Sequence, residues 1–274
     1  MSNLRAVASL IPPVLTLFAV PAAHAQAFEG TVTMREIAVE AEPLIERVGG
    51  DRERLFTLSV KRLLEEAQEA GIDVADYAVT YYMKGSMLRS TTPATPDEGA
   101  GYVLIDYERG IYRLVQPEQR LYVEWTADSA DVPPMDLDDE IVGEESEARI
   151  EPIGETRIIN GIRCTGYRSS DETGTVAVAW LTADLEDLKA SFTRLAELSE
   201  SMGDEEGNAP VDRMLQYGFP VLTMALEGDW EPEFSVAQLV SVERTPLSDD
   251  LFEPPAGFMK ISMQEMMRRQ MERP

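Results

Sequence analysis

The chain has 274 residues, of which 50 are acidic and 24 basic, for a formal charge of −26, with 44% hydrophobic content, one histidine and one cysteine. A polyanion of this strength is repelled by phosphate arrays, which excludes nucleic acid as a partner. A single cysteine excludes an internal disulfide, a thiolate zinc site and an iron–sulfur cluster.

The first segment reads as an export signal. Met1 to Arg5 is short and positive, Ala6 to Val20 is apolar, and Ala23-His24-Ala25 has the small-x-small pattern of a cleavage site. The expected mature chain begins at Gln26, works in the periplasm, and has no histidine, because His24 is the only one. Loss of Arg5 leaves 23 basic and 50 acidic residues and a charge of −27. The apolar run is shorter than the ~20 residues that cross a bilayer, so no stable membrane insertion is expected. Without histidine there is no usual serine or cysteine triad and no histidine-ligated metal. Paired carboxylates are the one catalytic chemistry left, and in so acidic a chain such pairs arise by chance. The expectation is a protein that is not an enzyme and holds no cofactor and no metal.

The remaining chain, about 250 residues, is long enough for one substantial core. Phe28, Gly30, Val32 and Met34 alternate with polar residues as a strand does. The period then changes: Phe56, Val60, Leu63, Ala67 and Ala70 fall at helical steps, predicting one amphipathic helix over 51–70, capped by Asp51, inside a helical insert of about 43–72. Short alternating runs follow at Tyr77–Lys84, Met87–Thr91, Tyr102–Tyr107, Ile111–Val115 and Leu121–Trp125. Connections this short make antiparallel neighbours.

An acidic loop follows at about 126–148. Asp136, Asp138, Glu140 and Glu147 have part of a calcium-loop spacing, but Ile141 stands where the sharp turn needs glycine, so a solvated loop is expected. Asn160-Gly161 between Arg157–Ile159 and Ile162–Cys164 is a hairpin turn, and Cys164 on that alternating run is expected to be buried and inert. Thr175–Thr182, a helix over 184–202 capped by Asp184, a short helix over 210–217, and strands at Pro220–Leu226 and Phe234–Arg244 complete the pattern. An irregular stretch, Leu247–Phe258, leads to a methionine-rich tail at 260–274. If helical, the tail gathers Met263, Met266 and Met267 on one side. Strands with a few inserted helices and no βαβ rhythm argue for α+β with a curved antiparallel sheet, residues 26–259 forming one domain.

Tyr81-Tyr82-Met83-Lys84-Gly85-Ser86-Met87-Leu88-Arg89, Ile105-Asp106-Tyr107, Gly110-Ile111-Tyr112-Arg113-Leu114, Ile159 to Tyr167, Gly218-Phe219-Pro220 and Leu251 to Phe258 together resemble a family of exported bacterial proteins of unknown function. That family is similar to the superfamily of outer-membrane lipoprotein carriers LolA and LolB and of LppX-like lipoproteins. The resemblance implies a mostly antiparallel, open β half-barrel with helices packed on its concave side, where related proteins hold acyl chains. It brings no catalytic residues.

Tyr81, Met83, Tyr112, Trp125, Trp180 and Met224 are the candidate ligand-binding residues: as aromatic and methionine positions of strands they either line an apolar concavity or are core against the helices. The expected function is a soluble periplasmic carrier or binding protein for a hydrophobic ligand or a lipidated protein. The alternative is an acidic module that binds a basic envelope protein through its charge.

Overall fold

The computed structural model describes residues 28–95, 99–126, 149–171, 174–200, 214–227 and 232–271. The expected signal peptide, nearly all of the acidic loop with its calcium-like spacing, the start of the helix over 210–217 and the last three residues of the tail lie outside them. Strand β1 (Glu29–Glu40) leads into α1 (Ala41–Arg47), a 3₁₀ turn (Arg52–Thr57) and α2 (Val60–Ala70). Then come β2 (Val74–Lys84), β3 (Met87–Thr95), β4 (Gly99–Asp106), β5 (Ile111–Gln116), β6 (Leu121–Thr126), β7 (Arg149–Ile159), β8 (Ile162–Asp171) and β9 (Gly174–Thr182). The chain closes with α3 (Glu186–Glu200), β10 (Phe219–Glu227), β11 (Glu233–Glu243), β12 (Met259–Ile261) and α4 (Met263–Met271).

All twelve strands share one sheet, in the order β12-β6-β5-β4-β3-β2-β1-β11-β10-β9-β8-β7. The two end strands do not pair, so the barrel stays open. Every ladder is antiparallel except the three-residue parallel pairing of β12 with β6, which the sequence pattern did not predict. The architecture is the α+β half-barrel with helices against the sheet that the resemblance implies. At the Asn160-Gly161 turn both residues have positive φ, 50° and 81°, as the hairpin requires. Asn160 Nδ2 donates to the Leu239 carbonyl oxygen at 2.7 Å, carrying the hairpin tip back to β11 and curling that half of the sheet.

The helical insert corrects one expectation. No single helix runs over 51–70. The Asp51 carboxylate accepts from the Glu53 amide and caps only the 3₁₀ turn; Leu58 and Ser59 are extended, and the Ser59 hydroxyl accepts from the Arg62 amide to start α2. The helical spacing was real, but two side-chain caps within nine residues divide it. The break turns Phe56 edge-on to Phe234 of β11, with ring centroids 5.4 Å apart. Glu53 is fixed in turn: it accepts from the amide and the hydroxyl of Thr175 at 3.1 and 2.8 Å and pairs with Arg168 at 3.5 Å. Burial pushes its carboxyl up, but the Thr175 bonds and Arg168 outweigh that and hold it below the ordinary glutamate value.

The core changes sides along β1. Val32 and Met34 are buried, then Ile37 and Val39, so the buried positions shift phase between Met34 and Ile37, next to the irregular register at Thr33/Met34 against β11. Gly30 is required near the start of this strand: with φ +153°, a Cβ there would lie 2.0 Å from the Glu243 carbonyl oxygen. Cys164 is buried in the main core, as expected, and burial pushes its thiol up to about 11.

Trp180, 2% exposed, is the largest side chain of this core. Its ring covers Gly166, directly opposite on β8, and the Arg157 guanidinium lies 4.0 Å from the ring centroid. A Cβ on Gly166 would lie 2.9 Å from two ring carbons, and a buried indole between strands has no free space to enter. Gly166→Ala is therefore expected to destabilise the fold by about 1–3 kcal/mol through overpacking. Urea unfolding reads this directly, and an unchanged midpoint would show that the indole moves freely.

Candidate ligand-binding face

Residues directly opposite in an antiparallel ladder share a face, so the registers sort the strands into two sides. One side of β2–β6 carries Tyr81 and Met83, then Leu88, Ile105, Tyr112, Leu114, Val123 and Trp125. Two of the six candidate residues, Trp180 and Met224, lie on β9 and β10 opposite Gly166 and Val236, in the one buried core that also holds Met83 and has Tyr81 packed against it. Both are fully buried there. Met83, 3% exposed, is core as well. The structure therefore brings Tyr81, Met83, Tyr112 and Trp125 onto one face of β2–β6 and places Trp180 and Met224 on β9 and β10, in a core that Met83 shares.

That face is covered unevenly. At one margin α3 lays Phe192 edge-on to Tyr81, with centroids 5.8 Å apart, and against Phe219 at 5.3 Å. At the other margin α4 packs Met263 and Met266 on Leu121, Val123 and Ile261. Between them Ile105, Tyr107, Tyr112, Leu114 and Trp125 are only partly buried. Tyr112 and Trp125 stack at 5.7 Å with an interplanar angle of 17°. The result is an aromatic band crossing the sheet from Phe192 to Trp125, with half-wet rings in its centre.

Hydroxyl groups follow the same band. Burial pushes the Tyr107 phenol well up, helped by the neighbouring Tyr112 and Tyr81. Burial also raises Tyr81, with the charge of Glu36 and the neighbouring Tyr77 adding to it. Tyr107, Glu36 and Phe192 were not among the candidate residues. Tyr107 falls just past β4 and outside its ladders, and Glu36 reads as a solvent-facing position of β1, so neither is legible from its own segment.

The sheet parts beside Glu36. Strand β2 pairs with β1 from Val74 to Lys84, but with β3 only from Tyr81 to Lys84. At the fork the Thr91 hydroxyl replaces a ladder partner, accepting from the Thr80 amide at 2.9 Å and donating to the Thr80 carbonyl at 3.4 Å. Beyond it, among the described residues, the β3-facing backbone of β2 has no ladder.

The opposite face of the same strands is closed by the stretch before β12. Phe258 packs on Tyr102, Leu104, Val115 and Tyr122. Arg89 lies 4.0 Å from the Tyr102 centroid and donates to the Leu251 carbonyl, and Arg113 pairs with Glu124 at 2.7 Å and Glu253 at 3.5 Å. Among the described residues no group of three or more acidic, cysteine or histidine side chains is placed to hold a metal, and no helix is long and apolar enough to cross a membrane.

A family model described as a domain of unknown function, DUF4412, matches residues 69–258. The chain belongs to the DUF4412 family. The match begins at the end of α2 and takes in the whole aromatic band as far as β6, together with the stretch before β12 up to Phe258. No curated protein matches this DUF4412 chain. Among solved structures it is similar to an uncharacterized conserved protein from Thermus thermophilus, with 7% identity, 84% of this chain and 89% of that one covered, and a TM-score of 0.38. It is similar to PNGF-II at 10% identity and a TM-score of 0.36, covering 89% of this chain and 33% of that one. A LolA superfamily protein from Nitrosomonas europaea is similar at 7% identity and a TM-score of 0.29, with 82% and 90% covered.

The packing of α4 has a measurable consequence. Ending the DUF4412 chain after Phe258 removes β12 and α4 and uncovers Leu121, Val123 and the flank of Trp125. Binding of the apolar dye ANS is expected to rise and Tm to fall by about 2–4 °C. Unchanged dye binding and Tm would show that α4 is not seated on β6.

Proposed function

We propose that this DUF4412 protein is a non-catalytic carrier or binding protein for a hydrophobic or lipidated ligand, exported to the periplasm with cleavage after Ala25, and that the face between α3 and α4 takes the ligand. One observation carries this reading: a continuous apolar band on a sheet face, covered by helices at both margins and only partly buried in the middle. The packed core, by contrast, buries the side chains of Trp180 and Met224 fully. The half-barrel architecture and the resemblance to lipoprotein carriers support the same reading.

The six candidate residues then divide by role. Tyr112 and Trp125 contact the ligand, Tyr81 and Met83 form the floor beneath α3, and Trp180 and Met224 hold the barrel together. An acyl chain laid along the band gains about 0.8 kcal/mol per buried methylene, so a modest stretch of chain gives micromolar affinity.

The test is the binding of the fluorescent fatty acid cis-parinaric acid. Trp125→Ala and Tyr112→Ala are each expected to weaken it about ten-fold, by removing ring area from the contact. Trp180→Phe should lower stability and leave the affinity of the folded protein within about two-fold. Failure of the native protein to bind the probe, or full affinity in Trp125→Ala, would overturn the reading.

A further inference from the structure

The carrier reading leaves the ligand's polar end unassigned, and the charges on the face assign it. The positions that share the ligand face can be read strand by strand from the registers of β1–β6 and β11. Among the described residues these strands direct no lysine or arginine to that side. The ionisable acids there are Glu36, with Glu40 and Glu233 further along at the β1/β11 end. The described side chains of the covering helices do not compensate. In α3, Lys189 donates to the Gln216 carbonyl and pairs with Glu186; in α4, Arg268 and Arg269 are both tied to Glu265.

Glu36 also has the surroundings of a cation seat. Its neighbours across the ladders are Tyr77 and Ala237, and Ala38 beside it is opposite Ala75 and Ser235. Small side chains on three strands flank the carboxylate, while Tyr77 is directly opposite it and Tyr81 follows on the same face of β2. A positive group set against a carboxylate and tyrosine rings gains both Coulomb and cation–π attraction. The fork between β2 and β3 lies at the same end.

We propose that the ligand is a cationic amphiphile: an ammonium group at Glu36, flanked by Tyr77 and Tyr81, with the apolar body running along Tyr107, Tyr112 and Trp125. This rests on the carrier reading and deepens it. It accounts for a lipid-type face in a protein with a charge of −26, which repels the phosphate head groups of ordinary envelope lipids.

The experiment compares decyltrimethylammonium with decanoate, two probes with ten-carbon chains and opposite charge, by calorimetry below their micelle concentrations at physiological salt. The ammonium is expected to bind at least about ten-fold more tightly. Glu36→Gln should remove most of that difference. Glu118→Gln, which deletes the same charge from the exposed β5–β6 turn, should change it by less than about two-fold and so separates the site from the general field. Equal affinity for the two probes, or equal effects of the two variants, overturns the head-group assignment and leaves the carrier reading standing. Binding of neither probe overturns the carrier reading itself.

Discussion

Strand β1 lies in the middle of the sheet, hydrogen-bonded to β2 on one side and β11 on the other, and it has to bury residues of both phases. That constraint organises the rest of the molecule. From Ile37 onward β1 presents Ile37 and Val39 to the same side as Phe234 and Val236 of β11, against which the 3₁₀ turn sets Phe56. Before Met34 it presents Val32 beside Tyr81 of β2, where α3 sets Phe192. The irregular pairing at Thr33/Met34 and the close approach of Gly30 to Glu243 are the local means of the change.

The two halves of the sheet are consequently unequal. Around β9–β11 the inserted 3₁₀ turn sets Phe56 on Phe234, and Trp180, Met224 and Phe234 are fully buried in the main core. Around β4–β6, among the described residues, only α3 and α4 reach the face, one at each margin, and the rings between them stay partly buried. The reverse side of β3–β6 is sealed by Phe258 and by Arg89 and Arg113, both engaged by the chain between Leu251 and Phe258. A ligand therefore meets one apolar surface of these strands and not the other. The same inequality separates the six aromatic and methionine positions into those that hold the fold and those available to a ligand.

Much of this was legible in the sequence, because strands and tight turns are local. Alternation located the meander β2–β6, and Asn160-Gly161 located the β7–β8 hairpin, since both depend on neighbouring residues alone. Three features were not legible. The break in the insert at Leu58-Ser59 kept the helical spacing of its apolar residues, so periodicity ran across it. The three-residue β12 is held by its partner β6 and has no pattern of its own. The face shared by Tyr81, Tyr112 and Trp125 depends on register across four ladders, which no single segment encodes. Trp180 and Trp125 looked alike in the sequence, and what distinguishes them is which helices arrive above them.

The central claim is that the ligand lies on the β4–β6 face and not within the core behind Trp180. Photo-crosslinking tests it most directly: an acyl chain bearing a diazirine near its end is bound, irradiated and mapped by peptide mass spectrometry. The account predicts labelling concentrated in the segment from Ile111 to Thr126, around Tyr112 and Trp125. Labelling centred on β9 and β10, around Trp180 and Met224, would contradict it.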